Sequence, residues 1–362
     1  DGEGQMAFYP PPRARPRGEI LYENDDPSVI EQSIPPDMVL SWNRRLDFDG
    51  QRAQFSKDVQ ARGKIRQENR EEFDWLAMGN VMEVALRRKL QFAAGSGQPT
   101  PEIDRVGFVG SVFIEGRTTL DQRQMSVEQF QLRNLTFSEF RERQPQRLHG
   151  DGPGWLSTVR YDEGSNSAAD NDGALPIAGA VSKPNSGSRL VYLRAEFARA
   201  IDGRGNLRQV DFTDRVTAIF GPVQNWNEEL DPRAPQGLGP TGVQLKCQQL
   251  SLVDSGNQRN GNGLELIASG NAEVESRDYR ARGQRVSYVR TKDLLVLEGD
   301  SRGQAEIWKK PLRSNTLPDA IARKILYRPH DQHIEVDGAQ RFEWKNPQPP
   351  VQATNPQGRR KS

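Results

Sequence analysis

The residues that could support chemistry are few and widely separated in this sequence. Gly237-Leu238-Gly239-Pro240-Thr241-Gly242 has the glycine spacing of a dinucleotide-binding loop. That loop needs a strand before it and a helix after it, whereas prolines and a strand-like run surround this one. Asp170-Asn171-Asp172-Gly173 resembles a calcium loop, but the last ligand position would be Gly179 instead of glutamate. Both runs are therefore interpreted as ordinary loops.

Metal ligands and nucleophiles are equally scarce. His330 and His333 are close in sequence but have no third ligand at a suitable spacing. The single cysteine, Cys247, excludes an intrachain disulfide and a C-x-x-C zinc site, and it is interpreted as a half-buried strand residue. H-E-x-x-H, P-loop and G-x-S-x-G patterns are absent. The sequence therefore predicts a protein that is not an enzyme and has no metal site and no cofactor.

Composition indicates a thin structure with much exposed surface. Hydrophobic residues make up 34% of the 362 residues, and the mean hydropathy is −0.80. The net charge of +1 gives no reason to expect a nucleic-acid partner. No apolar run reaches the roughly 18 residues of a transmembrane segment, and no signal peptide is visible. Because the first residue is Asp1, we expect a fragment or a processed form, from which an export signal or a membrane anchor could have been removed.

A short unit recurs along the chain: a turn-forming pair followed by residues that alternate between apolar and polar. Alternation places side chains two apart on one face of a strand, so the unit predicts a repeat-built, all-β fold of antiparallel strands. Residues 71–92 also fit a helix, but Gly79-Asn80 interrupts it and favours a strand. The seven units begin at Lys57-Asp58, Gly79-Asn80, Gly110-Ser111, Asp214-Arg215, Gly270-Asn271, Gly303-Gln304 and Asp337-Gly338.

Local composition divides the chain into five parts. Proline pairs predict a disordered arm over residues 1–36, and a second Pro-rich, basic segment predicts a disordered tail over 346–362. Residues 37–143 and 189–345 are predicted to form two β-repeat blocks. Gly, Ser, Asn and Asp dominate residues 144–188, which are predicted to be a long insertion loop between the blocks.

The second block resembles a known protein family. Gly270-Asn271-Ala272 opens a strand, further strands run through Tyr279 and end at Tyr288, and Leu295-Val296-Leu297-Glu298-Gly299 follows. This order resembles the organic-solvent-tolerance (OstA-like, LptA-like) family of lipopolysaccharide transport. A second round ends at Tyr327 and at Val336-Asp337-Gly338. The resemblance implies an elongated, twisted, V-shaped β-jellyroll whose strands turn one face towards a groove.

Two sets of candidate site residues follow from the resemblance and the alternation. The first set would line a groove that shelters acyl chains, although the same residues could close a dry core instead. It comprises Ala272, Val274, Val286, Tyr288, Leu295, Leu297, Ala305, Ile307, Ile325, Tyr327, Ile334 and Val336. The second set, Arg280, Arg282 and Arg285, could contact phosphates of a headgroup or could simply form a solubilising surface.

Two functions therefore remain open at the level of sequence. The resemblance implies a periplasmic or envelope-associated protein that binds or bridges lipopolysaccharide-type glycolipid towards the outer membrane. Its further partners would be envelope transport proteins, joined by end-to-end strand pairing. The alternative is a β-repeat scaffold of the cell envelope with a dry core and no lipid. A polysaccharide-processing β-solenoid enzyme would need a cluster of acids and a base in one groove, which the sequence does not show.

Overall fold

The chain is described by a computed structural model over residues 2–8, 38–66, 71–90, 102–141, 144–162, 189–205, 209–231, 238–239, 242–254, 264–289, 292–301, 303–309, 317–329 and 331–343. These residues form nineteen strands and no α-helix, so the predicted all-β fold is confirmed. The strands are β1 (Gly4–Phe8), β2 (Met38–Trp42), β3 (Arg45–Phe48), β4 (Arg52–Arg66), β5 (Glu71–Leu86), β6 (Ile103–Leu120), β7 (Arg123–Arg141), β8 (Gln144–Asp151), β9 (Gly154–Asp162), β10 (Arg189–Phe197), β11 (Ala200–Arg204), β12 (Gln209–Val223), β13 (Val243–Asp254), β14 (Leu264–Ser276), β15 (Tyr279–Val289), β16 (Leu294–Glu298), β17 (Ala305–Lys309), β18 (Ala320–Arg328) and β19 (His333–Phe342).

The strands pair antiparallel with near neighbours in sequence, and the long strands bend so that the sheet doubles into two layers. In β7, residues 126–131 pair with β9, whereas residues 134–141 pair with β8. In the same way β15 divides between β17 and β16. Layer I contains β1, β2, β9, β10 and β17, and layer II contains β3, β8, β11 and β16. The long strands β4–β7, β12–β15, β18 and β19 contribute one half to each layer.

Four of the bends in the described strands are β-bulges in which two successive residues have a left-handed backbone. At Gly270 and Asn271 φ is 78° and 52°, and the register of β14 against β15 shifts there. Such a bulge kinks a strand and increases its twist. The other bends of this kind are at Lys57/Asp58, Gly110/Ser111 and Asp214/Arg215.

The prediction that turn-forming pairs begin short strands is wrong for the pairs at these bends, which lie inside strands of 13 to 18 residues. It is also wrong for Gly79-Asn80 and Asp337-Gly338, which lie inside β5 and β19. It is confirmed at Gly303-Gln304, because the five-residue strand β17 begins at Ala305.

Replacing Gly270 with valine is expected to lower the free energy of unfolding by about 1–3 kcal/mol. A β-branched residue is strained at this φ, and its Cβ would lie 2.7 Å from the Cβ of Gln248. Chemical denaturation measures the change. Gly107→Ala in β6 is the control, because an added Cβ there meets no atom closer than 3.8 Å. Equal stability of Gly270→Val and the parent chain would show that the bend does not need this backbone conformation.

The two layers enclose one continuous apolar interior. Buried side chains from Leu40 in β2 to Ile334 in β19 belong to a single cluster. A second, smaller cluster lies on the outer face of layer I, where Leu230 and Leu238 from the connection after β12 cover Tyr192 and Ile219. The described residues therefore form one main core between the layers and a smaller one outside layer I.

The predicted division into blocks needs two corrections. Within residues 1–36, β1 is a strand that pairs with β2, and Gly4 leaves room for the ring of Trp42. Within residues 144–188, β8 and β9 connect the two blocks through β7, β10 and β11, so residues 144–162 are not an insertion loop. Residues 9–36, 163–188 and 346–362 lie outside the described residues. The strand predicted within residues 71–92 is confirmed as β5, which ends at Leu86.

Candidate functional site

The apolar candidates of the second block come together on the inner faces of the two layers. Ala272, Leu297, Ile307 and Ile325 have no exposed surface at all. Only Tyr288 and Val336 in this set are half-buried. The structure thus unites the set, but as a closed core in which these side chains contact each other rather than an open groove.

Aromatic pairs close the interior from one layer to the other. The rings of Tyr279 in layer I and Tyr327 in layer II meet edge to face, with centroids 4.9 Å apart. Phe197 and Phe212 form a similar pair at 5.7 Å. Burial raises the pKa of the Tyr279 hydroxyl well above its usual value, so it stays protonated. Contacts of this kind between the layers favour a dry interior around β10–β12 and in the C-terminal strands β15–β18.

The interior of the first block is more accessible. Its inward side chains include several that are only half-buried against the core, which the sequence pattern did not single out. The signal was nevertheless present, because Trp75 lies two residues before the buried Ala77, and Phe130 lies two residues before the buried Leu132. The half-buried apolar residues that pack against the core in this block are Leu46, Ala53, Trp75, Val84, Val106, Ile114, Phe130 and Phe137.

A group of polar side chains lies inside the layered structure beside these aromatic residues, and we call it the interior polar patch. It consists of Thr118, Ser126, Glu128 and Thr158, each less than a tenth exposed. Glu128 pairs with Thr158 on β9, and Ser126 lies two residues earlier on the same face of β7. The sequence pattern does not indicate the patch, because Ser126 and Glu128 alternate with the apolar residues Met125 and Val127.

Electrostatics at the interior polar patch are dominated by burial. Loss of hydration raises the pKa of the Glu128 carboxyl to about 7, although the nearby Ser126 hydroxyl and the charge of Arg160 oppose the change. The charge of Glu71 adds to the increase. At neutral pH the carboxyl therefore exists in both protonation states.

The three candidate headgroup arginines lie on outer faces, away from the apolar interior. Arg280 donates from Nε to Oε1 of Glu273 over 2.6 Å, and Arg282 Nε lies 2.7 Å from Oε2 of Glu306. The guanidinium groups of Arg280 and Arg282 also lie over the Trp308 ring. The third, Arg285, faces Glu298 across layer II, with Nη1 3.7 Å from Oε2. The structure does not bring these arginines together with the lining set.

A groove of about 720 Å³ crosses the outer face of layer I near the bends. Its lining includes Arg133, Trp155, Glu196 and Arg215. The indole N–H of Trp155 donates to Gln131 over 3.0 Å, so this part of the lining is already satisfied within the protein. Arginines and carboxylates occur together in and beside the groove, and its charge therefore selects no ligand class.

In the described part of the chain, the other residues considered as motifs have packing or strand roles. Leu238 and Gly239 belong to the connection that covers the outer cluster, and Leu238 is buried there. His333 begins β19, with Nε2 3.2 Å from Oε1 of Glu335. Burial raises the pKa of the Cys247 thiol to about 12, as expected of an inert strand residue. His330 and residues 170–173 lie outside the described part of the chain.

Comparison with known protein families, with curated proteins and with solved structures finds no match to this chain. The resemblance to the OstA-like family therefore depends only on the sequence motifs of the second block. Among the described residues, no helix is long and apolar enough to cross a membrane.

Proposed function

We propose that this chain is a non-enzymatic envelope protein that binds lipopolysaccharide-type glycolipid and passes it towards the outer membrane. The observation that carries the proposal is the single apolar cluster that runs between the two layers, with half-buried aromatic side chains in the first block. Acyl chains there would be removed from water, which stabilises binding by about 0.8 kcal/mol per methylene group. The OstA-like motifs of the second block support the same class of cargo.

The ends of the layered sheet support the second part of the proposal. In the described part of the chain, β1 and β3 each pair on one side only, and β19 pairs only with β18. An edge strand presents free N–H and C=O groups to which another chain can add a strand. Other envelope transport proteins are thus the expected partners, joined end to end, and the expected location is the periplasm.

The lipid-binding part is tested by photo-crosslinking at two neighbouring positions of β5. A photoreactive phenylalanine analogue replaces Trp75, which faces the interior, or Leu76, which faces outward on the same strand. With lipopolysaccharide present, we expect a lipid adduct from position 75 and little from position 76. No adduct at position 75, or equal adducts at both positions, would contradict the proposal.

The closed part of the interior favours a second candidate function. Where Tyr279 meets Tyr327 the layers are in direct contact, as a dry scaffold requires. A rod of this kind would hold envelope partners by its edge strands and carry no lipid. It becomes the better assignment if the crosslinking experiment gives no lipid adduct.

A further inference from the structure

Three neighbouring atoms of the interior polar patch have no hydrogen-bond partner of good geometry, although the Ser126 hydroxyl lies close enough to the Glu128 carboxyl to lower its pKa through a weak hydrogen bond. They are Oγ of Ser126, Oε2 of Glu128 and Oγ1 of Thr158. All three side chains are more than nine-tenths buried, and the strand register places them together. Buried polar atoms in folded proteins are nearly always hydrogen-bonded, so three unpaired neighbours need a reason. They indicate a place that is completed by something other than the chain itself.

The surroundings of the patch connect it to the accessible part of the interior. Gly116 lies opposite Glu128 in the adjacent strand. The Phe73 ring takes the space where a Cβ of residue 116 would stand, and Oε2 of Glu128 lies 3.4 Å from that position. Phe73 and Trp75 are only half-buried. A ligand that entered between the layers beside Trp75 would therefore reach the polar atoms after passing apolar surface.

The chemistry of the patch favours a neutral ligand group that both donates and accepts hydrogen bonds. Serine and threonine hydroxyls do both, and so does a carboxyl that is partly protonated. The charges nearest Glu128 are those of Arg160 and Glu71, which have opposite signs. A cation or an anion would therefore gain little from the local field, whereas a hydroxyl or an amide fits all three atoms.

We infer that the interior polar patch binds a hydroxyl or amide group carried among the acyl chains of an amphiphile. The inference rests on the proposed function and narrows it. Of two lipids with the same headgroup and chain length, the chain selects the one whose acyl region carries such a group. An alternating sequence pattern would assign Ser126 and Glu128 to the outer face, and departures of this kind are concentrated at functional sites.

The test compares stearoyl lysophosphatidylcholine with its monohydroxylated analogues, below their micelle concentrations, by isothermal titration calorimetry. The hydroxyl is placed near the head, the middle or the end of the acyl chain. We expect the best analogue to bind about tenfold more tightly than the plain lipid, the size of effect that an added buried hydrogen bond produces. In the near-isosteric double variant Ser126→Ala/Thr158→Val, that preference should disappear while the affinity for the plain lipid is kept.

A second double variant, Thr136→Val/Ser138→Ala, is the control, because these two residues alternate with the inward-facing Leu135 and Phe137 of β7. It should keep the preference of the parent chain. Equal binding of plain and hydroxylated lipids by the parent chain would overturn this inference but not the proposed function. Bound water would then be the partner of the three polar atoms. A preference that persists in Ser126→Ala/Thr158→Val would also overturn it. Failure of every one of these lipids to bind would overturn the inference, and the proposed function would be overturned as well if the crosslinking with lipopolysaccharide also gave no adduct at position 75.

Discussion

Replacing Leu250 with aspartate is expected to prevent the chain from folding. Leu250 has no exposed surface and lies in β13 between Phe212 and Ala268 of the neighbouring strands, inside the main core. An unpaired carboxylate in such a place costs several kcal/mol. The whole stability of a domain is about 5–15 kcal/mol, so the loss is comparable to the total.

The neighbouring residue supplies the matched control. Gln249 is exposed on the outer face of the same strand, and Gln249→Asp should change the free energy of unfolding by no more than about 0.5 kcal/mol. Soluble yield, far-ultraviolet circular dichroism and chemical denaturation compare the two variants. If Leu250→Asp folds with the stability of the parent chain, the two layers do not enclose a dry core at β13.

The positions of the bends could be predicted from sequence, but their role could not. Lys57-Asp58 and Gly270-Asn271 were recognised as turn-forming pairs, and both do have a left-handed backbone. A hairpin turn and a bulge need the same positive φ, so the local sequence cannot distinguish them. The pairing of the next strand determines whether such a pair forms a hairpin turn or a bulge. In β14 the chain continues beyond Asn271 and pairs with β15 on both sides of the bend, so the pair forms a bulge.

The glycine-rich segment after β7 shows a second limit of sequence reasoning. Gly150 and Gly154 belong to the composition that predicts a loop over residues 144–188, yet both lie in strands. A Cβ at Gly150 would lie 2.7 Å from a methyl group of Leu132 and 2.8 Å from one of Ile201. Glycine is needed there because the side chains of neighbouring strands approach closely. Composition alone cannot distinguish a glycine needed for close packing from a glycine in a flexible loop.

The candidate site was predicted only in part, for a related reason. Alternation correctly identified the inward face of the second block, for example at Leu297 and Ile307. Alternation gives the direction of a side chain but not the separation of the two layers, so a closed core and an open groove share one pattern. The accessible interior around Trp75 and the polar residue Glu128 depend on that separation and became visible only in the structure.

Replacing Glu128 with glutamine is expected to remove a pH dependence from the stability of the protein. On folding, burial raises the pKa of this carboxyl from 4.5 to about 7, so the folded chain holds its proton more tightly than the unfolded chain. The resulting stabilisation is fully present below about pH 4.5 and is lost as the pH rises to about 7. A difference of this size corresponds to roughly 3 kcal/mol.

Chemical denaturation at several pH values between 4.5 and 8 measures the effect. Over this range the free energy of unfolding of the parent chain should fall by up to about 3 kcal/mol more than that of Glu128→Gln. Glu83→Gln changes an exposed carboxyl on the outer face of β5 and should follow the parent chain. Parallel curves for Glu128→Gln and the parent chain would mean that water reaches the Glu128 carboxyl. The interior polar patch would then be an open, hydrated part of the space between the layers, and water would satisfy its three unpaired atoms without a ligand.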